Sequence, residues 1–293
     1  MSEIFEILKW PAAACLLLPG LLVYLGLHIV RREVIFVDLA LAQVATLGIC
    51  VAILLGRDPH DWQSYALAFG FTLVGAAIFT LTRTGARHAS VPQEALIGII
   101  YVVSAALGIL LLSNSPHGNE ELKETLVGDL LYLQSWQQVM KPFALYVGVA
   151  VVHFIFRKKF LVISFDPERA EAENISVRGW DFLFYALFGL VVTTFVQIGG
   201  VLMVFSYLII PAVCANFLAR RLGALLAIGW TVSTVGSVAG LYCSYQFNWP
   251  TGAAIVCVLG AILVITIIVA RFFRKPHAAA EPKISSKENS FVK

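Results

Sequence analysis

Charge is scarce in this chain. Of its 293 residues 13% are Asp, Glu, Lys or Arg while 59% are hydrophobic, and the mean hydropathy is +0.84. Soluble domains hold roughly 45–50% apolar and about 25% charged residues, so this chain has too little polar surface to cover itself in water. Paired cysteines are lacking as well. Cys15, Cys50, Cys214, Cys243 and Cys257 lie singly in apolar runs, an odd number with no CxxC spacing, which argues against a disulfide framework or a zinc knuckle. No GxxxxGK[ST] loop occurs, so nucleotide is not hydrolysed here by that route, and no HExxH, GxSxG or Ser/His/Asp grouping marks an enzyme. The 21 Lys and Arg are spread along the chain and form no basic face for nucleic acid. What is abundant is long apolar runs, which indicate an all-α polytopic membrane protein with a function in transport.

A helix crosses the roughly 30 Å hydrocarbon core with about 20 residues. By that measure spans fall near 12–30, 35–56, 65–82, 95–113, 143–156, 182–197, 200–218, 222–243 and 252–272, the fifth extending back through Trp136. The run from Phe182 to Leu218 would be about 55 Å long as one helix. It must fold back, and Gln197-Ile198-Gly199-Gly200 is the only plausible turn. The total is nine. Ala13-Ala14-Cys15 faintly suggests a lipoprotein cleavage site, but Glu6 and Lys9 interrupt the preceding stretch and the apolar run follows the cysteine. The segment reads as a retained first span.

Basic residues orient the chain. With the N-terminus outside, only Lys9, Arg57, Lys123 and Lys141 of the 21 Lys and Arg fall on the outer side. The C-terminus is then cytoplasmic. Residues 1–276 form the membrane domain, with a large cytoplasmic loop at about 157–181, and the Ala/Ser/Glu/Lys-rich tail 277–293 is expected to be disordered.

Asp166 opens a helix in that loop as N-cap, Pro167 suits the first helical position, and Glu168 stands in the first turn, where the helix dipole favours an acid. Chemistry alone allows two readings, a solvated connector or a docking element for a cytosolic partner. Two outer loops, with Asp58, His60 and Asp61 and with Pro116 to Glu121, read as a solvated face that also contacts a delivery protein. His153 reads as structural, and Gly236 with Gly240 as a close-packing pair.

The ordered punctuation FDPERAEAENI (165–175), GGVLMVFSYLIIPAVCANFLARR (199–221) and GLYCSYQFNWPTGAAIVCV (240–258) resembles the permease family of zinc- and manganese-type ABC importers. EALIGIIYVVSAALGILL (94–111) and LVGDLL (126–131) extend the resemblance from about Val30 to Phe272. It implies a permease homodimer in the bacterial inner membrane, two cytosolic ABC ATPase subunits that hydrolyse ATP, and an extracytoplasmic metal-binding protein. The chain itself is then no enzyme and binds no cofactor; a divalent metal passes through it. The resemblance also makes Asp166, Pro167, Glu168 and Ala170 the coupling segment that meets the ATPase.

One departure stands out. The family pattern has an Asp and, four residues on, a His in the second span. Aligned on Leu47-Gly48, this chain has Leu39 and Gln43 there, with Asp38 one residue early. Asp38 and Gln43 are about 140° apart on a helix, and an amide is a poor zinc ligand. A rebuilt site is conceivable from His28, Asp38 and Glu94, all about 5 Å inside the cytoplasmic ends of their spans, since ionisable groups within spans mark function. The competing readings are an interfacial His28, an Asp38 paired with Arg31 or Arg32, and a helix-starting Glu94 after Pro92. Pro211 removes a backbone hydrogen bond within its span and is a candidate flexing point. The expectation is an importer of zinc, manganese or iron, zinc slightly ahead. The alternatives are an ABC permease for a chelate or other small ligand and, less favoured, an ion-driven secondary transporter.

Overall fold

The runs that read as spans form helices because every backbone N–H and C=O must be satisfied within its own segment once water is excluded. The computed structural model describes residues 2–59, 61–82, 92–113, 115, 118–128, 130–173 and 175–273. Among them the regular structure is entirely helical. The helices are α1 (Ser2–Leu17), α2 (Pro19–Arg31), α3 (Val37–Leu54), α4 (Trp62–Thr82), α5 (Gln93–Leu112), α6 (Gly118–Val127) and α7 (Trp136–Ile155), followed by α8 (Arg157–Phe165), α9 (Pro167–Ala172), α10 (Val177–Leu218), α11 (Leu222–Phe247) and α12 (Thr251–Phe273).

Eight helical stretches are long and apolar enough to cross a membrane, with α1 and α2 joined into one from Leu8 to Arg31. The ninth crossing lies inside α10. Its 42 residues would measure about 63 Å if straight, but Gly200 breaks the run at φ 71° and ψ 168°. Three contacts show that the two arms run back along each other. Phe195 and Tyr207, twelve positions apart, bring their ring centroids to 5.9 Å. Neighbouring Arg31 and Arg32 then reach opposite ends of α10, Arg31 to Asn216 at 3.3 Å and Arg32 to Asp181 at 2.8 Å. The turn at 197–200 is therefore where the sequence places it. Gly200 is needed twice over: its positive φ strains residues with a Cβ, and a Cβ there would strike the backbone of Leu126 to Gly128 at the end of α6.

Two helices make the interior. About 72% of α3 and 67% of the best span window of α10 are buried, against 22% for α5 and α7. Threonines and serines on these helices return their hydroxyls to the carbonyl four residues back, as Thr46 does to Ala42 on α3 and Thr194 to Leu190 on α10. Bridges such as Thr72–Thr193 at 3.0 Å and Tyr207–Ser237 tie helices together. Gly240 lets α11 lie against the Ile255 backbone, and Gly236 packs on Leu259, as a small-xxx-small pair does. The fifth span begins at Trp136, where Gln138 accepts the N–H groups of Gln134 and Ser135 at 2.8 and 3.1 Å. Two helices have no counterpart in the sequence reading: α6 between the fourth and fifth spans, and α8 ahead of α9. His60, Pro116, His117 and the tail 277–293 lie outside the described residues.

Candidate functional site

Arg31 and Arg32 lie at one end of the bundle, where α2 stops and shortly before α3 starts. The turn between them places Glu33 at φ 57°, and the residues on either side face different ways. Asp38, in the first turn of α3, is 1% exposed. Its Oδ1 accepts the Leu39 N–H at 2.8 Å. Glu94, in the first turn of α5, accepts the backbone N–H of Ile35, three residues before Asp38, through Oε1. Oδ2 of Asp38 and Oε2 of Glu94 are buried without a hydrogen-bond partner. Buried oxygens in that condition are costly, and a proton or a cation would satisfy each.

His28 takes no part in this pair. Its Nδ1 is 2.8 Å from Ser164 Oγ, and its ring meets Tyr24, His153, Phe165 and Phe184 at 4.7 to 6.2 Å between centroids. Arg32 Nε donates to the same Ser164 Oγ at 2.8 Å, and Arg32 Nη1 to Asp181 at 2.8 Å. Ser164 Oγ thus joins the Arg32 guanidinium and the His28 ring. The Arg32 and Asp181 side chains are 2% and 1% exposed, and the guanidinium lies 3.9 Å over Phe184. Among the described residues no three His, Cys, Asp or Glu side chains come together to hold a metal. The grouping of His28 with Asp38 and Glu94 anticipated from sequence is thus not formed: His28 projects toward α7, α8 and α10, and a buried guanidinium beside it disfavours a cation. Nor is Asp38 held by Arg32, which is engaged by Asp181.

Gln43 is buried on α3, which is regular from Val37 to Leu54, so its wide angle from Asp38 persists. Pro211 is buried in the second arm of α10, where only Gly200 leaves helical geometry. His153 is buried, its Nδ1 3.4 Å from the Tyr24 hydroxyl. On the opposite side Asp58 and Asp61 are exposed.

The short helix of this loop forms as its residue order predicts. α9 starts at Pro167, and Asp166 Oδ1 accepts the Arg169 N–H at 3.2 Å. Ala170 is 1% exposed and anchors the helix, while Arg169 pairs with Glu173 at 2.7 Å on the open face. That hydrogen bond and the Glu173 charge push the Arg169 guanidinium above its ordinary value. The preceding turn of α8 carries Ser164 and Phe165, so α9 is wired to α2 through His28 and Arg31, which sits 5.4 Å from the Phe165 ring. The same Ser164 reaches α10 through Arg32 and Asp181. Ser164 and Asp181 were invisible as functional residues in the sequence. A lone acid opening an apolar run at Asp181 was the one available signal.

The ABC 3 transport family model matches residues 4–270. Two curated relatives are the manganese transport system membrane protein MntC of Listeria innocua, 32% identical over 212 residues (71% of this chain and 75% of the relative), and the manganese import system permease protein ScaB of Streptococcus gordonii, 27% identical over 247 residues (84% of each). Among solved structures, PsaBC from Streptococcus pneumoniae in complex with Fab superimposes with a TM-score of 0.75 at 24% identity, covering 94% of this chain and 96% of that one. At that identity the likeness concerns the fold.

Proposed function

This chain belongs to the ABC 3 transport family, and from that premise we propose that it is the permease through which a divalent transition metal, manganese ahead of zinc, is imported. The sequence alone puts zinc slightly ahead. Two lines of support reverse that order. The similar curated proteins bear manganese names, and the unsatisfied pair Asp38–Glu94 offers only carboxylate oxygen. Hard oxygen donors suit manganese, whereas zinc sites are built with imidazole and thiolate. Gln43 lines the approach without joining the pair, and His28 serves as a strut.

In this reading the basic end is cytoplasmic, two copies of the chain enclose the path, and a metal-binding protein delivers the ion from outside. ATP is hydrolysed on separate cytosolic subunits that press on Asp166, Pro167, Glu168 and Ala170. The observation that carries the reading is the linkage from α9 through Ser164 to both α2 and α10: a push on the short helix reaches the helix before Asp38 and the hairpin that builds the interior. Pro211 provides give in the hairpin's second arm. Permeation by a chelate and ion-driven transport have no comparable support in the site.

Uptake of manganese, zinc and iron by cells carrying the permease with its ATPase tests this. Manganese should accumulate, and Glu168→Lys should leave the ATPase turning over without uptake. An ATPase that responds to the permease while no metal moves would overturn the substrate; transport that survives ATP depletion would overturn the machine.

A further inference from the structure

A cavity of about 680 Å³ opens on the flank of the bundle between α2, α7 and α11. It lies away from Asp38 and Glu94, whose helices pack against each other on another side. The walls run along α7 from Phe143 to Phe154 and reach Arg157, the first residue of α8; the α7 stretch is about 17 Å by helical rise, close to the depth of one leaflet's hydrocarbon, about 15 Å. They are almost wholly apolar, and small residues, Ala150 and Ala227, keep the groove open. Chemistry changes only at the basic end. Arg157 lines the mouth, Lys158 follows it, and Arg221 with Arg220 precedes the lining residue Leu222. All four are exposed, Arg157 lies over the Phe154 ring at 4.8 Å, and among the described residues none of the four is in an ion pair. Inside the mouth His153 lines the wall with a buried Nε2 that has no partner.

We propose that this groove is a binding site for one anionic phospholipid of the leaflet at the basic end. An acyl tail lies along α7, and the phosphate faces Arg157 and its neighbouring cations. The length and apolarity of the walls match a tail, and an unpaired cationic rim above an apolar slot is complementary to a negative headgroup. An apolar helix from a second copy would leave the rim charges without a partner.

The full chain, purified in detergent, is titrated with phosphatidylglycerol or phosphatidylcholine, and retained lipid is counted by native mass spectrometry. One phosphatidylglycerol per chain should be held in preference to phosphatidylcholine. Arg157→Gln should weaken it about fivefold, the value of a single Arg near an anionic surface. The double substitution Ala150→Trp/Ala227→Trp, on two exposed wall positions, should remove the bound lipid with the circular dichroism spectrum unchanged. Equal retention of phosphatidylcholine, or undiminished phosphatidylglycerol in the filled protein, overturns the proposal. So does a filled protein that keeps its lipid but loses self-association, which would assign the groove to a second copy. None of these readouts involves metal transport.

Discussion

Two polar clusters lie within a few residues of each other in sequence at the basic end of the bundle, and they are built on opposite terms. Around Arg32 opposite charges and a hydroxyl meet: Ser164 answers both Arg32 and His28, Asp181 answers the guanidinium and Phe184 covers its face, with Arg32 Nη2 and His28 Nε2 left over. Around Asp38 and Glu94 each acid bonds through one oxygen and leaves the other buried and empty. The first arrangement belongs to a strut, since a buried pair is costly to break. The second has no opposite charge in it and leaves buried carboxylate oxygens without a donor, the feature on which the proposed cation path rests.

Substitutions separate the two clusters by their effect on stability. Asp181→Ala leaves a buried guanidinium unpaired and should destabilise by about 3–5 kcal/mol, read as a large fall in melting temperature and in yield of folded protein. A melt unchanged from wild type would break the distinction. His28→Ala strips the Ser164 hydroxyl of its ring partner and should lower stability by about 1–3 kcal/mol while manganese still outcompetes zinc; a switch in metal preference would return His28 to the path. Asp166→Ala removes a helix cap worth about 1 kcal/mol, with the loss confined to ATPase coupling in reconstituted complex. Asp38→Asn and Glu94→Gln should barely move the melt, because the pair has no opposite charge in it to lose, yet manganese uptake should collapse. Uptake at the wild-type rate in both would remove the pair from the pathway.

Much of the fold was legible because it follows from local rules. Hydrophobic length located the crossings, and the excess length of Phe182 to Leu218 demanded a turn for which Gly199-Gly200 was the only candidate. Asp166-Pro167 signalled a helix start through groups that act within one turn. The site was less legible. His28 and Asp38 stand on neighbouring helix ends at similar depth, and spacing alone permitted them to converge. The structure turns them toward different neighbours. Helix α8 escaped notice because Arg157-Lys158-Lys159 has no apolar periodicity to reveal it.

By itself the sequence determined the class of protein, the nine passes, the hairpin and the start of the short helix α9. Each follows from interactions within one segment, or from its solubility in lipid. Tertiary structure decided which charged groups meet. Arg32 and Asp181 are 149 positions apart, and Asp38 finds Glu94 on a different helix. No periodicity encodes such pairings, because they depend on how helices rotate as they pack, and a rotation of about 100° per residue separates a buried strut from an open site.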